Sequence, residues 1–97
     1  MKSISVQQRR DRAEIPLIDV REQHEYHAGH VPGAINLPMS TLGDQLHLLP
    51  EGEFDVICEV GGRSARVAQA LEARGHEAVN VDGGTRAWIE AGYAVEH

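Results

Sequence analysis

The chain has one cysteine, four aromatic residues and no long apolar run among its 97 residues. A single cysteine forbids an internal disulfide, and such sparing use fits a reducing compartment. With so few aromatics, the core has to come from Val, Ile, Leu and Ala. No stretch approaches the roughly 18 consecutive apolar residues that a membrane span needs. Basic residues are outnumbered, nine Lys and Arg against fifteen Asp and Glu, for a net charge of −6. That balance argues against nucleic acid and anionic membrane as partners. It leaves room for a small anionic substrate, because the field at a site and the net charge are separate matters. Residues 1–12 are polar and charged, without the apolar centre of a signal peptide, so the expected location is the cytosol. No repeat, low-complexity block or Pro/Gly/Ser-rich linker interrupts the chain. Residues 1–97 are therefore expected to form one domain, with a monomer as the default state.

Short β-type runs alternate with helical or turn segments. The runs are Pro16–Val20, Ala34–Leu37, Asp55–Cys58 and Ala78–Val81, with a weaker one at Ile4–Val6. They are apolar at consecutive positions, the pattern of strands buried on both faces. Helices are expected over Glu22–Ala28, Thr41–Leu49 behind Ser40 as N-cap, Ser64–Arg74 and Thr85–Ala91, the last turning Trp88 and Ile89 inward. The alternation predicts an α/β domain: a small, mainly parallel, five-stranded sheet with helices on both faces. Ligands of open parallel sheets sit outside the carboxyl ends of the strands. Asp19–Arg21, Cys58 and Asp82–Gly84 all fall at such ends and should share one rim.

Cys58 stands between the run Phe54–Ile57 and the helix expected from Ser64, followed by Glu59-Val60-Gly61-Gly62-Arg63-Ser64. Loop N–H groups and the positive end of a helix favour thiolate over thiol. Gly61 and Gly62 allow a sharp turn and leave no side chain over the sulfur. Arg63 reads as an anion clamp or a loop brace, and Ser64 as the helix N-cap with a second possible role as donor to the sulfur.

These residues resemble a known family. Leu17-Ile18-Asp19-Val20-Arg21-Glu22, then Glu25 and Gly29-His30-Val31-Pro32-Gly33-Ala34-Ile35-Asn36-Leu37-Pro38, look like the opening signatures of rhodanese-like sulfurtransferases in their single-domain form. Cys58–Ser64 resembles that family's active-site loop. Asp82-Gly83-Gly84, Trp88 and Ala91-Gly92-Tyr93 resemble its closing signature. Each is weak alone; their order and spacing together are specific. The resemblance implies that Cys58 attacks a sulfane sulfur donor such as thiosulfate, carries the sulfur as a persulfide, and yields it to a thiophilic acceptor such as cyanide. It implies no metal or organic cofactor. It also implies that Arg63 and the N–H groups of Glu59, Val60, Gly61, Gly62, Arg63 and Ser64 cradle the sulfur, while Asp19 and Arg21 support the loop. The partners implied are a small sulfur-containing anion or a thiol persulfide, with a protein donor or acceptor as a further possibility.

Four residues separate Cys58 from Arg63. Cysteine phosphatases have a similar loop with five, wide enough for a tetrahedral phosphate. The shorter loop, and the lack of a second cysteine, set the phosphatase and arsenate reductase readings aside. Glu59 departs from the basic or small polar residues common in the family. A carboxylate here would oppose thiolate formation and repel thiosulfate, or else it is a solvated loop-tip charge. The main alternative to an enzyme is a sulfur-carrier or regulatory module acting through a protein partner. The triplet His24, His27 and His30 is read as surface or capping histidines, not as a metal site.

Overall fold

The computed structural model describes all 97 residues. Five strands, β1 (Lys2–Ile4), β2 (Leu17–Asp19), β3 (Ile35–Asn36), β4 (Glu53–Ile57) and β5 (Glu77–Val81), form one sheet in the order β1-β5-β4-β2-β3. Every pairing is parallel. Four α-helices accompany it: α1 (Val6–Arg10), α2 (Gln23–Ala28), α3 (Gly62–Ala73) and α4 (Gly84–Glu90).

The consecutive apolar residues of the strands feed two cores, one on each face of the sheet. Ile18, Phe54, Val56 and Ala78 pack against Val67, Ala68 and Leu71 of α3. Their sequence neighbours Leu17, Ile57 and Val79 point the other way, toward Val6 of α1 and Trp88 of α4. This is the period-two pleat of a doubly covered strand. At about 25 cal/mol per Å² of apolar surface, full burial of each such side chain is worth roughly 1.5–3 kcal/mol before entropy is charged.

The expected α/β architecture holds, with four local corrections. The strand expected at Ile4–Val6 is Lys2–Ile4, and Val6 instead opens α1, whose end is a capping box. Ser5 Oγ accepts the Gln8 N–H and Gln8 Oε1 accepts the Ser5 N–H. The helix expected over Thr41–Leu49 is two 3₁₀ turns, Leu42–Asp44 and Leu46–Leu48. Gly43 weakens an α-helix there by about 1 kcal/mol. Ser40, the expected cap, instead donates its hydroxyl to Glu22 Oε1 at 2.7 Å. The helix expected from Ser64 begins two residues earlier, so Ser64 is the third residue of α3. Its N-cap is Gly61 at φ +106°, a left-handed conformation open to glycine. Finally, Trp88 is buried as expected, but Ile89 is 50% exposed. On a seven-residue helix only one stripe can face the sheet.

Candidate active site

The carboxyl ends of β2, β4 and β5 converge, bringing Asp19, Cys58 and Asp82 to one rim. Cys58 follows the last residue of central strand β4, and its side chain lies buried on the α3 face. The chain then turns through Glu59–Gly61 into α3. The Gly61 N–H reaches Cys58 Sγ at 3.1 Å. Burial alone would push the Cys58 thiol up. Hydrogen bonding by Ser64, Gly61 and Val60 outweighs it and holds the thiol below its ordinary value.

A second turn, from β5 into α4, fixes the shape of the first. The Thr85 N–H and hydroxyl both donate to the Cys58 carbonyl, at 2.9 and 3.0 Å, and the Arg86 N–H donates to the Glu59 carbonyl at 3.0 Å. With those two carbonyls drawn toward α4, the following N–H groups are free to face the sulfur. The approach is close. A Cβ on Gly84, whose φ is +62°, would lie 2.5 Å from the Glu59 oxygen and 2.6 Å from the Cys58 oxygen. The sequence placed Gly84 only at a strand end; the clamp on the Cys58 loop emerges in three dimensions.

Ser64 is fully buried. Its hydroxyl lies 2.6 Å from Asn80 Oδ1, and Asn80 Nδ2 donates to Asp82 Oδ1 at 3.0 Å. That last bond fixes which way the Asn80 amide points. Asn80 therefore anchors Ser64 beneath the sulfur, a role its place inside a strand gave no reason to suspect.

The arginines around the loop are all engaged. Arg63 forms a two-pronged pair with Glu25, both contacts 2.8 Å. This is one of the two roles read for it, a loop brace, and it uses two of the five guanidinium N–H donors. Arg63 holds the Glu25 carboxyl down at about 2, although burial opposes the shift. Glu25 also accepts the Glu22 N–H at the start of α2, so one carboxylate ties that helix to the loop. Arg21, only 4% exposed at its side chain, grips Asp19 through three contacts of 2.8–3.1 Å and donates to the Gly29 carbonyl at 2.8 Å. Asp19 and Arg21 thus form a buried ion pair at the rim. Glu59 turns toward Arg21, 3.2 Å away, and loosely toward Arg86 at 3.7 Å. Paired with Arg21, it is not a free loop-tip charge. Val60, its neighbour, is 59% exposed at the loop surface.

Beside the loop lies a cleft of about 560 Å³. Arg21, Glu25 and Glu59 line its charged side, and Ala28, Ile89 and Val95 its apolar side. Of the three histidines, His30 is buried and stacks on Tyr26 with ring centroids 3.7 Å apart, while His24 lines the cleft. No helix is long and apolar enough to cross a membrane.

Known proteins share this arrangement. A rhodanese-related protein of Thermoplasma volcanium superposes with a TM-score of 0.94 at 34% identity, over 99% of this chain and 98% of that one. The thiosulfate sulfurtransferase GlpE of Pseudoalteromonas translucida is 35% identical over 89 residues, covering 87% of this chain and 81% of the relative. An HTH-type transcriptional regulator of Mycobacterium tuberculosis is 37% identical over 95 residues, or 91% of this chain; the chain spans 40% of that protein's length. The rhodanese-like domain family matches residues 4–91. With the sheet order, the cysteine loop and the match all in agreement over nearly the whole length, the chain belongs to the rhodanese-like domain family.

Proposed function

We propose that the protein is a sulfurtransferase that moves a sulfane sulfur through a persulfide on Cys58. The thiolate attacks the outer sulfur of thiosulfate or of a persulfide. An S–S bond to Cys58 forms as the donor's own bond breaks, and sulfite or a thiolate leaves. A thiophilic acceptor then attacks the terminal sulfur and returns Cys58 to the thiolate. The observation that carries this reading is the Gly61 N–H on Sγ, in a loop whose other N–H groups are not taken up by the backbone. The N–H groups of Glu59, Val60, Gly62, Arg63 and Ser64 donate to no backbone carbonyl. Such a nest stabilises an anion that is one atom larger as readily as the thiolate itself. Arg63 and Glu25 hold the loop in shape, and Asp19 and Arg21 hold the rim beneath it.

The likeness to a transcriptional regulator supports a second reading, in which the persulfide at Cys58 is a signal read by a protein partner. Intact mass after treatment with a sulfane sulfur donor tests both. A gain of one sulfur atom, absent in Cys58→Ser and removed by cyanide over many cycles, supports the enzyme. A single stoichiometric loading without turnover supports the carrier. No adduct with any donor refutes both.

A further inference from the structure

Ser64 has one hydroxyl hydrogen and more than one group to give it to. Its Oγ lies 2.6 Å from Asn80 Oδ1 and 3.2 Å from the Gly61 carbonyl oxygen. Asn80 sits on β5, 2% exposed, and its amide has a fixed direction. Nδ2 donates to the Asp82 carboxylate at 3.0 Å, and an ionised carboxylate only accepts. Oδ1 is therefore the end that meets Ser64, and it too only accepts. A contact of 2.6 Å between these oxygens places the hydroxyl hydrogen between them. Ser64 thus gives its hydrogen to Asn80. Gly61 sets Ser64 and Cys58 side by side: its N–H is 3.1 Å from Sγ and its carbonyl oxygen is on Ser64 Oγ. Ser64 acts on the thiol through its side chain as well as its N–H. A thiolate attracts that hydrogen more strongly than an amide oxygen does, because hydrogen bonds to an ion are roughly twice as strong as neutral ones. Rotation about the Ser64 Cβ–Oγ bond moves the hydrogen between the two with no heavy atom displaced. Asn80 Oδ1 then loses its donor inside the core, which costs free energy.

We propose that Asn80 is a positioning residue for the nucleophile: it holds the Ser64 hydrogen while Cys58 is a thiol, yields it to the ionised sulfur, and by competing for it sets how readily Cys58 ionises. This rests on the sulfurtransferase reading for the part that Cys58 plays in a cycle, and deepens it. Charge sits on Sγ in the free thiolate and moves to the outer sulfur in the persulfide. It returns when an acceptor bonds to that outer sulfur and the S–S electron pair falls back on Cys58. The Ser64 hydrogen follows the charge, turned to Sγ in the first and last states and resting on Asn80 in between.

The test is a titration that needs no sulfur donor. Thiolate absorbance is followed against pH in wild type, Asn80→Val, Ser64→Ala and the double variant, with Cys58→Ser as the blank. Asn80→Val removes the competing acceptor with a side chain that suits a strand. The charged and titratable groups around the loop are common to all four proteins. They are Arg63 and exposed Arg66 on α3, His24 and Glu25 on α2, Asp19 and Arg21 at the end of β2, Glu59 in the loop, exposed Asp82 after β5 and Arg86 on α4. Asn80→Val should lower the Cys58 midpoint by about 0.5–1 pH unit, and should leave it unmoved when Ser64 is already Ala. A midpoint that stays or rises in Asn80→Val, or that falls equally in the Ser64→Ala background, overturns the proposal. Sulfur transfer then still stands, because loading of Cys58 by a donor is a separate measurement. The wild-type protein gives a second readout that survives a poorly folded Asn80→Val. The NMR carbon resonance of the Asn80 side-chain carbonyl should shift through the Cys58 titration as its hydrogen bond is lost, and by more than in Ser64→Ala. An equal movement in the two proteins, or none in wild type, overturns the proposal.

Discussion

The two ends of the sheet use the same device for different ends. At the amino ends, Asp55 of β4 is fully buried between Arg9, 2.9 Å away, and Arg12, 3.0 Å away, with Glu53 sharing Arg12 at 2.6 Å. At the carboxyl ends, Asp19 is fully buried against Arg21, and Glu25 and Glu59 complete the set. Both rims are networks of arginine and carboxylate, and a buried pair is by itself weak evidence of function. The amino-end network ties α1 and the segment behind it to β4, and no nucleophile lies within it. The carboxyl-end network surrounds the Cys58 loop, whose Gly61 N–H lies on the sulfur. Chemistry follows from that nest; the ion pairs hold it in place.

Breaking each rim in turn should separate these roles. The largest effect on stability is expected from Asp55→Ala, which strands buried Arg9 and part of Arg12 and should cost roughly 3–5 kcal/mol in denaturant unfolding. Sulfur loading per folded molecule should stay at the wild-type level. Asp55→Asn keeps the shape and one acceptor, and should lose less. On the opposite rim, Gly84→Ala drives a Cβ into the carbonyls of Cys58 and Glu59. Loading should fall by about 10–100-fold, the scale of an ångström-sized misplacement, with a smaller loss in melting temperature than Asp55→Ala. Ser64→Ala removes the hydroxyl beside Sγ and leaves Asn80 Oδ1 without its buried donor, a cost of about 1–3 kcal/mol. The pH at which Cys58 becomes reactive toward an alkylating agent should move upward.

The smallest stability effect is expected at Glu25. Its pair with Arg63 is partly exposed, so Glu25→Gln should cost only about 1 kcal/mol at neutral pH. Its carboxyl lies lower in the folded chain than in the unfolded one, near 2 against 4.5. The pair's contribution is therefore complete above about pH 4.5 and is lost as the pH falls toward 2. Acid unfolding curves of wild type and Glu25→Gln should converge across that window; a gap that persists below it would contradict the assignment.

Much of this was legible in the sequence because strand ends in a parallel sheet point to one rim. The runs ending at Val20, Cys58 and Val81 were enough to bring Asp19, Cys58 and Asp82 together. The α1 helix was also written there, in the spacing of Ser5 and Gln8, but four polar residues out of five obscured it. The clamp of Gly84, Thr85 and Arg86 on the Cys58 loop could not be read. It depends on two turns, their bonded residues 27 apart in sequence, packing carbonyl against amide, and backbone hydrogen bonds leave no residue pattern. The pairing of Glu59 with Arg21 was hidden for a similar reason. A charge beside a cysteine reads as acting on the cysteine until a buried guanidinium is found to turn it aside.

The central claim is that the loop favours the thiolate of Cys58 although its side chain is buried. The ultraviolet absorbance of the thiolate, titrated against pH with Cys58→Ser as the blank, measures this directly because the chain has no other thiol. A midpoint below the ordinary cysteine value is predicted. A midpoint at or above that value would mean that burial prevails over the nest, and would contradict the account.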